Sequence, residues 1–153
     1  MKNKLLILAT LLTISINYAQ TDDYTEMSRT ILKSETKEAI AEVMTLNETQ
    51  SAPFWELYNE FELENYTVKN KRIAIINDYA KNFENTSNEK ADELIKAFFA
   101  YKAEDLKLKK KYYKKMKKII PATEAAKFIQ AINKIDDLVN AELALEVPLI
   151  ETE

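Results

Sequence analysis

The chain has 153 residues, 22 basic and 25 acidic side chains and a formal charge of −3, and it contains no Cys, no His and no Gly. The missing thiol and imidazole exclude thiol catalysis, Cys/His zinc sites and imidazole acid–base chemistry, and the mild acidity argues against a general nucleic-acid binder. Tight strand-connecting turns favour Gly, so a Gly-free chain of this length points to an all-α fold of long helices joined by Asn- and Ser-containing breaks.

Residues 1–20 differ from the rest. Lys2 and Lys4 carry their only charges, Leu5 to Ile16 is a 12-residue apolar run broken only by Thr and Ser, and Ala19 and Gln20 close it before Asp22 and Asp23. A basic start, a short apolar stretch and a small residue at the end is the layout of a secretory signal peptide. Spanning a bilayer takes roughly 20 apolar residues, so the expectation is cleavage near Ala19 or Gln20 and no stable membrane insertion afterwards. A single helical domain over 21–153 would then remain in the periplasm, with 20 basic against 25 acidic side chains. An exported domain of that size can bury enough surface to fold without disulfides.

Four helices are predicted. The first runs from about Asp22 to Met44, with Tyr24, Met27, Ile31, Ile40, Val43 and Met44 on one broad face. Leu46-Asn47-Glu48-Thr49-Gln50 then reads as a helix start: Asn47 as cap, Gln50 reaching back three residues on, and Leu46 as a hydrophobic staple. From there a second helix continues to about Phe83 or Glu84, on the order of 50 Å at 1.5 Å per residue; Pro53 is tolerable near its start. Thr86-x-x-Glu89 repeats the capping pattern before a third helix, Ser87 to about Ile119. Its residues Ala91, Leu94, Phe98, Tyr101, Asp105, Leu108 and Tyr112 step by threes and fours, a coiled-coil-like seam with one acidic interruption. Pro121 ends it. The fourth helix covers about Ala122 to Glu146, with Phe128, Ala131, Ile132, Ile135, Leu138, Val139 and Leu145 as its apolar face, and the tail Val147-Pro148-Leu149-Ile150 is expected to pack down. Helices two and three form a long antiparallel hairpin flanked by helices one and four. Both are longer than the ~30 Å width of a small domain, so apolar surface is left for a second copy to cover, and a homodimer is expected.

Eight lysines lie between Lys107 and Lys118, around the apolar stripe Leu108, Tyr112 and Met116. A basic amphipathic helix suits an acidic partner or a membrane surface. A plainer account is that a hairpin turning near residue 86 sets 107–118 beside 54–65, where Glu56, Glu60, Glu62 and Glu64 pair with them. With eight Lys against four Glu a positive strip should remain, and Lys109, Lys110, Lys114 and Lys117 are the four expected to be least occupied. The aromatic group Phe54, Trp55, Tyr58 and Phe61 reads mainly as core. Phe54 and Trp55 are about 100° apart on a helix, so one of them is a candidate for an exposed partner contact. Asn-x-Ser/Thr triplets at Asn47, Asn65 and Asn85 are explained by local capping at two of the three. Carboxylate pairs such as Glu56/Glu60 and Glu60/Glu64 share a helix face, but two-metal bundles of this kind add a His, so neither a metal nor any other cofactor is expected.

The layout resembles the Spy/CpxP superfamily of exported helical proteins, whose LTxxQ motif stands at helix starts. Leu46-Asn47-Glu48-Thr49-Gln50 matches with Asn in place of Thr, and Thr86-Ser87-Asn88-Glu89 is a degenerate second copy. Phe54-Trp55-Glu56-Leu57-Tyr58-Asn59-Glu60-Phe61 is similar to the FWxxYNxY stretch of related proteins encoded beside sigma-factor systems. Lys111-Tyr112-Tyr113, Ile119-Ile120-Pro121, Lys127-Phe128-Ile129-Gln130 and Val147-Pro148-Leu149 resemble the C-terminal half of other exported members. The resemblance implies a thin, curved helical dimer with either ATP-independent chaperone action or stress sensing. The expected function is therefore a periplasmic chaperone-like protein, not an enzyme, that holds unfolded or acidic envelope proteins. The alternative is a stress sensor or adaptor with one dedicated signalling partner.

Overall fold

A computed structural model describes residues 33–150. The signal-peptide layout of 1–20 and the first part of the expected first helix lie outside those residues. The chain divides into two units, 1–42 and 43–153. Residues 33–43 form a helix, α1; Ile40 is buried, and Ser34 Oγ lies 3.4 Å from Glu38 Oε1 one turn on.

Three long helices build the second unit: α2, Glu48–Asn82; α3, Asn88–Met116; and α4, Ala122–Glu146. A short 3-10 turn, Phe83–Asn85, links α2 to α3, and no strand occurs among the described residues. Helices α2 and α3 pack closely along their length as an antiparallel hairpin, shown by the pairs Glu60–Lys115, Glu64–Lys111 and Asp78–Lys90. Helix α4 runs back along α3. Its Asp136 meets Lys109, and beyond its end the Pro148 carbonyl accepts from Tyr79 Oη at 3.1 Å.

The helix boundaries follow from local chemistry. Gln50 N–H donates to Asn47 Oδ1 at 3.0 Å and Asn47 N–H donates to Gln50 Oε1 at 3.2 Å, so both orphan donors at the start of α2 are satisfied reciprocally. Pro53 sits in the second turn of α2, where its missing N–H costs one early hydrogen bond. The cap of α3 is Ser87, whose Oγ accepts from Lys90 N–H at 3.2 Å. Thr86, expected as that cap, instead donates back to the Asn82 carbonyl at 2.8 Å and closes α2. Helix α3 ends at Met116, three residues before the expected Ile119. Lys118 N–H bonds to Lys115 O and Ile119 N–H to Met116 O, three-residue bonds that tighten the chain ahead of Pro121.

The core is concentrated at one end. Phe54, Tyr58 and Phe61 of α2, Tyr112 and Met116 of α3, Ile120, and Ala125, Phe128 and Ile132 of α4 are all buried. Phe128 stands edge-on to Phe54 at 5.8 Å and to Phe61 at 5.3 Å, and Phe61 stands edge-on to Tyr112 at 5.3 Å, the arrangement that aromatic quadrupoles favour. Towards the hairpin turn the packing thins: Leu94 is buried, while Ile73, Ile75, Ile76, Tyr79 and Phe83 are half-buried. The seam of α3 is largely where its spacing puts it, with Leu94, Tyr101, Asp105, Leu108 and Tyr112 buried and Ala91 and Phe98 half-buried. The expected face of α4 holds only in part. Leu138 and Leu145 are exposed, the latter by 86%, as is Leu149 of the tail. Beyond Ile132 no residue of α4 is buried.

Candidate functional site

The lysine run divides by the angle at which each residue leaves α3. Lys111 and Lys115 reach across the hairpin to Glu64 and Glu60, at 2.6 and 2.7 Å, and both sit over the Tyr112 ring. Tyr112 Oη donates to Glu64 at 2.8 Å. The Lys111 ammonium, with help from Tyr112, holds the Glu64 carboxyl below its ordinary range; burial and the nearby Glu64 push the Tyr112 hydroxyl up. Two of the four expected glutamate partners are thus placed as the hairpin register demands.

Lys109 departs from its expected freedom. Its side chain is only 12% exposed and bridges Asp105 at 2.8 Å and Asp136 of α4 at 2.7 Å. Lys69 of α2 reaches the same two carboxylates at 3.0 and 2.9 Å, so two ammonium groups and two carboxylates from three helices form one closed cluster. Burial alone would raise Asp105 and lower Lys69. The hydrogen bonds and charges of the two lysines outweigh it for Asp105, and those of Asp136 and Asp105 outweigh it for Lys69, so Asp105 is held below and Lys69 above the usual range. Sequence reasoning set α3 against α2 alone and so had no place for Asp136; the four-residue spacing of Asp105 and Lys109 was the available signal.

Lys110, Lys114 and Lys117 project outward and are exposed. Among the described residues no carboxylate pairs with them, while Lys117 lies 5.0 Å from the Tyr113 ring centroid. At 3.6 residues per turn this face lies roughly 140° around α3 from the buried seam. Followed towards the start of α3, the same face carries Leu106, Ala103, Phe99 and Ile95. Phe99 is 63% exposed, Leu106 52% and Ile95 46%. A shallow open depression beside Ala103, Leu106, Lys107, Lys110, Lys111 and Lys114 marks where the apolar and cationic parts meet.

The aromatic candidates on α2 fall differently. Phe54 is fully buried, held by Phe128 and Tyr58, and cannot meet a partner. Trp55 is half-buried, edge-on to Phe54 at 5.1 Å and to Tyr58 at 5.3 Å. The most exposed aromatic among the described residues is Phe99, which the sequence reading passed over; Tyr66 of α2 is exposed to a lesser degree. Phe98 and Phe99 are adjacent, so they cannot both lie in the seam, the same reasoning that separated Phe54 from Trp55. Leu46, Asn47 and Gln50 serve the start of α2, with Leu46 half-buried. Close by, Glu124 in the first turn of α4 accepts from Thr45 N–H at 3.0 Å and from Lys127 at 2.7 Å, tying the segment before α2 to α4. No helix among the described residues is long and apolar enough to cross a membrane, and no acidic cluster among them is arranged to hold a metal ion.

No family model, curated protein or solved structure matches the chain.

Proposed function

We propose that the chain is an exported, chaperone-like protein that binds partly unfolded envelope proteins, without ATP, on the outer face of α3. The observation that carries this reading is the joining on one solvent-facing stripe of exposed Ile95, Phe99 and Leu106 with Lys110, Lys114 and Lys117. Exposed apolar side chains in a row capture apolar client segments, and unneutralised lysines draw in acidic ones over the screening length of roughly 8 Å at physiological ionic strength. Export rests on the charge and apolar layout of residues 1–20, and ATP independence on the resemblance of the sequence motifs.

The test is protection of a chemically denatured client diluted into buffer without nucleotide. Near-stoichiometric protein should suppress light scattering, and Phe99→Ser with Leu106→Ser should abolish that protection while circular dichroism stays unchanged. Protection that survives this double change places the client elsewhere, with Trp55 the next residue to examine. A dedicated sensor or adaptor is the second reading, favoured by the segregation of apolar and cationic halves along α3, which suits one defined partner segment. It predicts no general protection and saturable binding to a single envelope protein. The expected homodimer has a separate candidate surface on α4, Leu138 and Leu145. Light scattering at micromolar concentration should give twice the monomer mass, and Leu138→Ser with Leu145→Ser should halve it.

A further inference from the structure

Two chemistries occupy the outer face of α3, and they are not mixed. Between residues 95 and 106 the exposed side chains are Ile95, Phe99, Ala100, Ala103 and Leu106, with Lys96 engaged by Asp92 and Lys102 lying over the Phe98 and Tyr101 rings. Between 110 and 117 they are Lys110, Lys114 and Lys117, with Lys111 engaged by Glu64. The boundary falls within one turn, between Leu106 and Lys110.

We infer that this face selects a protein segment built in two blocks, one apolar and one acidic, laid along α3 so that the apolar block covers Ile95, Phe99 and Leu106 and the acidic block meets Lys110, Lys114 and Lys117. The inference rests on the proposed binding role of the same face and names the class of partner. The stripe from 95 to 117 is roughly 33 Å long, which a helical segment of about 20 residues or an extended one of about 10 spans. Charge complementarity requires the partner's acids at one end only, because at the other end they would lie over Phe99 and near Asp92.

Other occupants fit less well. An antiparallel second copy that stacks Phe99 on Leu106 sets Ile95 against Lys110, apolar against cationic, and brings Lys96 together with its partner Asp92 to the lysine block, and a parallel copy stacks the lysines on one another. Helices that lie on anionic bilayers carry their cations along the whole polar face beside a continuous apolar one. Here the cations are at one end, and Asp92 and Glu93, both exposed, stand at the apolar end where they would press on lipid headgroups.

The probes are two fluorescent 20-residue peptides of identical composition, one with Leu and Phe in one half and Asp and Glu in the other, one with the same residues alternating. Anisotropy against the purified protein at low and high salt should show the two-block peptide binding at least ten-fold more tightly. Phe99→Ser with Leu106→Ser should weaken it at both salt concentrations alike. Lys110→Glu, Lys114→Glu and Lys117→Glu together should weaken it and remove most of its salt dependence, with helicity unchanged in both variants. Equal binding of the two peptides overturns the inference and leaves the face as an unselective client surface. Binding of neither overturns it together with the proposed role of the face. Preference for vesicles containing anionic lipid over both peptides assigns the stripe to a membrane surface, and self-association lost in Phe99→Ser/Leu106→Ser assigns it to a second copy; either result overturns the inference.

Discussion

The two ends of the α2–α4 unit are made from similar residue types but packed differently. Where α2 begins, α3 ends and α4 begins, three helices converge and Phe54, Tyr58, Phe61, Tyr112, Met116 and Phe128 are sealed from water. Towards the α2–α3 turn, the half-buried Ile73, Ile75, Ile76 and Phe98 face fewer neighbours, and Ile95, Phe99, Leu145 and Leu149 are open to solvent. The difference is one of cover, not of hydrophobicity. A third helix completes the core at the first end and passes along one side at the second. Stability is thereby divided unevenly between the two ends, since regions with few buried contacts open most readily.

The largest expected effect tests this division directly. Phe128→Ala removes the ring that touches Phe54, Tyr58 and Phe61, and should cost about 3–5 kcal/mol in urea unfolding. Ile76→Ala, half-buried near the turn, should cost about 1–2 kcal/mol, because less surface returns to water. Equal losses would mean that the turn end is as tightly packed as the other, and hydrogen exchange would then show no gradient between residues 54–61 and 88–100.

Between the two ends, the cluster of Lys69, Asp105, Lys109 and Asp136 pins all three helices together. Lys109→Glu would leave three carboxylates around Lys69 and should cost about 3 kcal/mol, as breaking a largely buried pair does. Its pH dependence has a definite sign. Asp105 is held below its usual range, so its contribution is present above the unfolded value of about 3.9 and is lost as pH falls through the lower folded value. Lys69 is held above its range, so its contribution is complete below about 10.4 and is lost as pH rises through the higher folded value. Stability measured against pH should therefore lose this contribution only outside that window, and Asp105→Asn should flatten the acid limb.

A smaller effect belongs to the packed end. Asn47→Ala removes an acceptor for Gln50 N–H and should cost about 1 kcal/mol, whereas Asn47→Asp keeps an acceptor and should be nearly neutral. A loss well above that would show that the start of α2 also depends on Asn47 for packing.

Much of this architecture could be read from spacing. The seam of α3, its interruption at Asp105 and the start of α2 at Asn47 are local patterns, and each survives intact. Cover was not legible. Periodicity puts Leu138 and Leu145 on the same broad face as Phe128, yet only a third dimension tells that nothing among the described residues lies over them. Lys109 was misplaced for the same reason: its partner Asp136 comes from another helix, 27 residues on. The proposed binding stripe was half-read, its lysines from their density and its apolar part not at all, because Phe99 stands beside a seam residue and looks like core.

The smallest expected effect on stability sets neighbouring residues of one helix against each other. Lys110→Glu, Lys114→Glu and Lys117→Glu change three exposed side chains for which no carboxylate partner exists among the described residues. Surface substitutions of this kind shift stability by about 0.5 kcal/mol or less each, so the triple variant should unfold close to the wild-type urea midpoint. Lys109 stands one residue before Lys110 and is chemically identical to it, but its Nζ lies between two carboxylates in a nearly closed site. If Lys109→Glu destabilises strongly and the triple reversal does not, the run of eight lysines contains a structural member and a solvent-facing set, separated by the 100° that one residue turns on a helix. Comparable losses in the two variants would show that the outer lysines also hold the fold, and the stripe would then have no charge to spare for a partner.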